Sequence, residues 1–380
     1  MLHLALLANA SNYHLRRWLP ALTARDIRIS LLSFTTPDLA IEDVDFIQLN
    51  RPTSSLLRHS IADFLVGAGK IRDLLRRLSP DVLMGSYATN YGYLAARSGF
   101  HPFVLQTWTA DVQLYPSQGL KRFVLGPMVR HALRAADGVT TDGPALQAEV
   151  ARRFPFAAEK TESILWGIEL DEYLHLKHAR SDARQRLGLP EHARVITHAR
   201  GLRIHDRSEI SLPAILEILG DSDRYHALVL TLGHEPPARV AGVLQALRDH
   251  PRCVVVDRFL SKAEVRDVWS ASDVVVSVPL FDGISESLLE AMAAGCIPVL
   301  SDIPPNRIVV PDSENAIFSR ADTSSTLARD LRHGLSHLDQ LIDRAIPANR
   351  EWVKENASID QAAGKLADLL VEVAGRKING

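Results

Sequence analysis

Along the 380-residue chain, short apolar runs alternate with segments whose apolar positions recur every three to four residues. Leu2–Leu7, Arg28–Phe34, Phe46–Leu49, Asp81–Met84, Phe103–Thr107 and Gly138–Thr141 read as buried strands. His14–Thr23, Val66–Leu78 and Ala145–Phe154 read as amphipathic helices between them. Such alternation predicts an α/β fold, a parallel sheet with helices on both faces. The rhythm restarts after Leu170. Val195–His198, Ala227–Leu232, Cys253–Val256, Val274–Val278 and Ile297–Leu300 form a second set of expected strands, interleaved with helices Leu212–Leu219, Val240–His250, Lys262–Ala271 and Ser287–Ala294. Length agrees, because 380 residues exceed one ordinary core. Two Rossmann-like, doubly wound domains are therefore expected, over 1–170 and 183–355, with the polar stretch 171–182 as linker. The last segment, 356–380, carries one more helix that can pack back on the N-terminal domain. Domains of this kind facing each other across a cleft would bring to it the carboxyl ends of both sheets, where ligands bind.

Composition changes this picture little. Apolar residues make up 46% and charged residues 23%, an ordinary globular balance. The net charge of −2 divides unevenly. Residues 1–170 hold 18 Lys and Arg against 15 Asp and Glu, the remainder 25 against 30. That bias is too small to make the chain a nucleic-acid binder. Two cysteines, Cys253 and Cys296, stand in no metal-like spacing, which fits a reducing, cytoplasmic location. The first residues lack a basic leader and a cleavage pattern, and no apolar run reaches the length of a membrane span.

The densest chemical signal is FDGISESLLEAMAAGCIPVLSD, Phe281 to Asp302. A buried strand runs into Asp282-Gly283, then a helix, then Gly295 and another buried strand. A helix N-terminus at the carboxyl end of a strand offers unpaired N–H groups to a phosphate. Asp282 and Glu290, eight residues apart, can accept hydrogen bonds from sugar hydroxyls. Ser287 and Glu290 equally spell a capping box, and Asp-Gly a simple turn, so the residues alone leave both readings open.

This segment resembles the signature of the retaining glycosyltransferases of family 4, the group 1 family with a GT-B fold. In that family an acidic residue, seven others and then a Glu precede an Ala-Met-Ala-x-Gly run and a Pro-Val. The chain has Asp282, Glu290, Ala291 to Gly295, then Pro298-Val299. The resemblance implies that Glu290 holds the donor ribose and Asp282 faces the hexose. Amides at Ile284, Ser285 and Glu286, with Gly283, Ser287 and Leu288 around them, would meet sugar and diphosphate. VITHARGLRIHDRSE, Val195 to Glu209, resembles the loop whose Arg and Lys grip the leaving diphosphate. Arg200 matches the Arg, Asp206 stands where Lys is usual, and Arg203 or Arg207 would supply the second charge. A solvated basic loop is the alternative.

The N-terminal half would carry the acceptor. Ser11 and Asn12 would line the cleft floor, with His14 and Arg17 reaching the acceptor or a phosphate. Trp108, Thr109, Ala110 and Asp111 stand where the family often has a His or Trp, two small residues and an Asp, which places Asp111 among the catalytic candidates with Asp282, Glu290 and Arg200. A family role for a His at position 108 does not transfer. Tyr87 and Asn90, after a strand end, complete the acceptor side. The implied function is metal-independent transfer of a hexosyl group from a UDP- or GDP-sugar, with no separate cofactor, to a sugar, lipid-linked or small-molecule acceptor. The alternatives are a sugar-nucleotide epimerase or phosphorylase, or a non-catalytic nucleotide-sugar-binding subunit.

Several other signals lose weight. Asp43-Val44-Asp45 and Asp221-Ser222-Asp223 spell the Asp-x-Asp of metal-dependent transferases but fall in expected turns. No zinc spacing, G-x-G-x-x-G or Walker lysine loop is present. The basic, apolar stretch 119–134 is a candidate for peripheral membrane contact, although Pro127 interrupts it.

Overall fold

Strands that are apolar on both faces must be covered on both faces, and parallel neighbours must be joined by crossover helices. A computed structural model shows two such assemblies. It describes residues 1–37, 41–50, 67–114, 119 and 122–376; Val66, Leu120 and Lys121 of the expected segments lie outside that range, and for Leu114 only the backbone is described.

One unit comprises Met1–Trp166 together with the chain from Ile359 onward. Its chain order is β1 (Leu2–Leu7), α1 (Tyr13–Thr23), β2 (Ile27–Ser33), β3 (Val44–Gln48), α2 (Ala68–Leu78), β4 (Val82–Ser86), α3 (Tyr91–Ser98), β5 (Phe103–Gln106), α4 (Arg122–Ala135), β6 (Gly138–Thr141), α5 (Pro144–Arg153) and β7 (Thr161–Ser163). The seven strands pair in parallel in the order β3-β2-β1-β4-β5-β6-β7. Alternate residues of each strand serve opposite faces. Ala5, Leu7, Leu83, Phe103 and Leu105 pack under α2 to α5. Leu4, Leu6, Val82, Met84 and Val104 pack under α1 and the last helix of the chain, Ile359–Arg376. That helix presents Leu366, Leu369, Leu370 and Val373 to the sheet, so the final segment belongs to this unit. Close approach of α3 to β4 depends on Gly85, where a Cβ would stand 2.7 Å from the Ala95 methyl.

The other unit comprises Gly167–Ser358. It contains α6 (Arg180–Arg186), β8 (Arg194–His198), α7 (Ser208–Leu219), β9 (Tyr225–Leu230), α8 (Ala238–Arg248), β10 (Cys253–Val256), α9 (Lys262–Ala271), β11 (Val274–Ser277), α10 (Glu286–Ala294), β12 (Ile297–Ser301), α11 (Pro304–Val309), β13 (Ile317–Ser319), α12 (Ser324–Ser336) and α13 (Leu338–Asn356); the helix from Ile359 is α14. Its parallel sheet runs β10-β9-β8-β11-β12-β13, the dinucleotide-fold order with its switch point between β8 and β11.

The stretch 171–182 is no free linker. Tyr173 is 1% exposed, and the Lys177 ammonium donates to the carbonyls of Trp269, Ser270 and Ser272 at the end of α9. A cation there meets the negative end of the helix, which is why so polar a segment folds onto the unit. The chain divides at Trp166/Gly167, earlier than the expected 170. The pattern also missed β7 and β13, three-residue strands at sheet edges and too short to show a period.

Candidate functional site

The switch point sets loops from β8 and β11 side by side, since Val276 pairs with His198. Arg200 stands in the first loop, Asp282 in the second. The Arg200 guanidinium donates to Asp282 Oδ2 (2.6 Å) and the Ser285 hydroxyl (3.4 Å), and through its other terminal nitrogen to Asp206 Oδ1 (3.2 Å). Burial works against its charge, but Asp282 and Asp206 outweigh that and hold it above the usual arginine value. Arg200 Nε has no protein partner. Two residues before it, His198 is fully buried, and burial depresses it to about 4.

Ser285 opens α10 without a side-chain cap bond; its hydroxyl lies 3.0 Å from that of Ser287. The first turn of α10 therefore points at the Arg200–Asp282 pair with the polarity that suits a phosphate. The Ser287–Glu290 capping box does not form. Glu290, 5% exposed, accepts instead from the Tyr173 hydroxyl at Oε1 (3.0 Å) and the Trp269 indole N–H at Oε2 (3.1 Å). The far end of α10 is closed by Gly295 at φ +86° and by Arg350, which donates to the carbonyls of Ala293 (2.9 Å) and Ala294 (3.1 Å).

The two arginines expected to replace the usual Lys have different surroundings. Arg207 donates to the Ala321 carbonyl, and Arg203 is exposed, giving only its backbone N–H to Asp206 (3.1 Å). Asp206 is 5% exposed, so the place expected to hold a cation holds a second carboxylate for Arg200. Gly283, Ile284, Glu286 and Leu288 follow Asp282 into α10 as the spacing indicated; Asp282 Oδ1 accepts from the Gly283 N–H (3.0 Å), so the turn and the arginine share this residue.

In the other unit the residues expected on the acceptor side divide sharply. Trp108 stacks between Tyr87 (centroids 5.5 Å apart) and Trp166 (5.9 Å), and Trp166 stacks on Trp18 (5.1 Å). His14 lies 5.2 Å from the Trp108 ring, and Tyr87 holds φ +66°, an uncommon backbone for a bulky residue. His14, Tyr87 and Trp108 thus come together at the ends of β1, β4 and β5. Asp111 departs from expectation. It is fully buried, its two oxygens accept from the Ala88 (2.5 Å) and Trp108 (2.9 Å) amides, and burial pushes its carboxyl to about 8. It ties two loops together and is not presented to a substrate. Asn12 caps α1, Asn90 caps α3, Ser11 donates to Thr36, and Thr109 donates to Asp142. Arg17 is 6% exposed, its guanidinium over the Tyr13 ring. Each of these side chains is engaged locally.

Residues 3–143 match the family described as glycosyl transferase 4-like, and residues 194–337 match glycosyl transferases group 1. The two halves are glycosyl transferase domains. Each match coincides with one sheet, and the second spans Arg200, Asp282 and Glu290. No curated protein matches the chain. Among solved structures, sucrose-phosphate synthase from Thermosynechococcus elongatus is similar over 99% of this chain and 100% of its own, with TM-score 0.82 and 15% identity. Anabaena HepE, solved with UDP-glucose, is similar over 98% and 100% (TM-score 0.75, 16% identity). WaaG, a glycosyltransferase involved in lipopolysaccharide biosynthesis, is similar over 97% and 99% (TM-score 0.74, 14% identity). At these identities the likeness is one of fold: two parallel-sheet, Rossmann-like domains matching GT-B glycosyltransferases.

Within the second unit, the sequence left Tyr173, Trp269 and His198 unmarked. A polar-tipped aromatic inside a polar stretch was the available signal for Tyr173. In the 4-like domain the Asp-x-Asp spelling resolves into a turn at Asp43 (φ +56°) and an Asp45–Arg28 surface pair, while Asp221 and Asp223 pair with Arg332 and Arg252. Among the described residues no group of three or more His, Cys, Asp or Glu is placed to hold a metal, and no helix is long and apolar enough to cross a membrane.

Proposed function

We propose that the chain transfers a hexosyl group from a UDP- or GDP-sugar to a hydroxyl of a glycan, lipid-linked or small-molecule acceptor, with retention at the anomeric carbon and without a metal. One observation carries the reading: a buried carboxylate, Glu290, sits on the same helix whose uncapped first turn meets the Arg200 guanidinium. Glu290 would accept from the ribose hydroxyls, and Asp282 from the hexose. The amides at Ile284, Ser285 and Glu286, with Arg200, would hold the diphosphate. As the anomeric C–O bond to the diphosphate breaks, negative charge gathers on the leaving oxygen, where a fixed guanidinium and helix dipole stabilise it most. The acceptor oxygen forms the new bond, and its proton passes to the leaving phosphate.

A second reading rests on Asp206. With two carboxylates on one guanidinium, Arg200 arrives at a diphosphate already neutralised, which favours nucleotide-sugar binding without turnover. Thermal-shift screening against UDP-, GDP-, ADP- and dTDP-sugars comes first, with UDP-glucose the natural start because HepE was solved with it; a ligand at about 100 times its Kd adds about 2.7 kcal/mol. Proton NMR of the products then separates the readings. Transfer gives the donor's anomeric configuration, the binding subunit gives no release of nucleoside diphosphate, and failure of every sugar nucleotide at millimolar concentration to raise the melting temperature sinks both.

A further inference from the structure

The helices on one face of the first sheet share a chemistry that the donor site does not use. α2 carries four Lys or Arg against one Asp, α4 three Arg and no acidic residue, and α5 two Arg against one Glu. On the opposite face α1 and α14 together carry four Lys or Arg and three acidic residues. The basic excess is thus greatest in the layer formed by α2 to α5. Within it, large apolar groups are exposed: Phe123 at 64%, Val124 at 43% and, from the 3-10 turn after α5, Phe156 at 42%. Arginines lie over these rings, Arg122 at 4.8 Å from the Phe123 centroid, and Arg134 at 5.2 Å and Arg130 at 6.0 Å from that of Phe156. Every exposed position of α4 is basic, aromatic, aliphatic or proline.

We propose that this face docks on an anionic lipid bilayer, with Phe123 and Phe156 entering the interface and Arg122, Arg130 and Arg134 meeting the head groups. Charge complementarity selects a polyanion; the exposed rings among the arginines select a bilayer over a nucleic acid, because an apolar side chain gains by leaving water at the acyl boundary. Phe156 comes from a different element and extends the surface beyond the amphipathic stretch 119–134. Cation–π contact keeps each guanidinium over a ring at the height where head group and acyl chain meet. This inference stands on the first unit alone and does not depend on the transfer reaction.

Vesicle sedimentation of the full chain tests it. The protein binds vesicles containing about 30% phosphatidylglycerol, does not bind pure phosphatidylcholine, and is released by salt. Replacing Arg122, Arg130 and Arg134 by Gln lowers partitioning by about a hundredfold, about fivefold per arginine, whereas the triple Lys variant retains it. F123S/F156S lowers it on the order of tenfold with the salt dependence unchanged. All these side chains are exposed, so melting temperatures stay at the wild-type value. Equal binding to both vesicle types, or none to either, overturns the proposal. So does duplex DNA binding as tight as vesicle binding together with an inert F123S/F156S pair.

Discussion

Glu290 offers the sharpest test, because its surroundings separate two substitutions that are usually interchangeable. Both oxygens accept, one from a hydroxyl and one from an indole N–H. In Glu290→Gln the amide oxygen can face Trp269 while the amide nitrogen donates to Tyr173, whose hydroxyl rotates to accept. Both buried partners stay satisfied, and stability changes by less than about 1 kcal/mol. In Glu290→Ala two buried donors lose their acceptor at about 1–3 kcal/mol each. For a unit of this size that lowers melting on the order of 5–15 °C. Donor binding follows a different order. Hydrogen bonds from hydroxyls to a carboxylate are worth about 1.5–3 kcal/mol more than nothing and fall when the charge goes, so Gln weakens the donor by about tenfold to a hundredfold without unfolding anything. Calorimetric titration with the sugar nucleotide found by screening, run beside thermal melts, reads both quantities. A Gln variant that binds like wild type removes Glu290 from the donor site. A Gln variant as unstable as Ala refutes the hydrogen-bond assignment.

Two further outcomes follow from the same unit. Asp206→Asn relieves Arg200 of one carboxylate while preserving shape, and raises affinity for free UDP or GDP by about threefold to tenfold, with a steeper salt dependence, in the same titration; unchanged affinity separates Arg200 from the diphosphate. His198 is depressed to about 4 by burial, so the folded unit resists a proton that the unfolded chain takes up near 6.5. Its contribution is complete above about pH 6.5 and is lost as pH falls toward 4. Urea melts of wild type and His198→Leu between these limits check it: the variant loses less stability on acidification, and parallel curves contradict the burial assignment.

Much of the architecture was legible because local pattern carries it. A run such as Val274–Val276 is apolar at every position, which only a strand covered on both faces tolerates, and the helix after it is bounded by Ser285 and Gly295. The two shortest edge strands escaped, since three residues such as Ile317–Ser319 contain no period. Asp111 was misplaced for a different reason. An aspartate after a strand end looks the same in sequence whether its oxygens face solvent or two backbone amides, and here Ala88, from another loop, took one of them.

The sequence by itself determined the order of strands and helices, the parallel sheets, and a helix N-terminus with an acidic flank at the end of β11. Those follow from side-chain periodicity and from caps, which act within a few residues. Only the tertiary structure decided what the polar atoms meet. Glu290 is held by Tyr173, 117 residues before it, Arg200 is shared by Asp206 and Asp282, and α14 returns to a unit the chain had left at Trp166. The physical reason is that burying apolar surface has no direction, so a pattern suffices to predict it, whereas a buried charge or hydrogen bond is settled by one partner at one angle, and the chain brings that partner from anywhere.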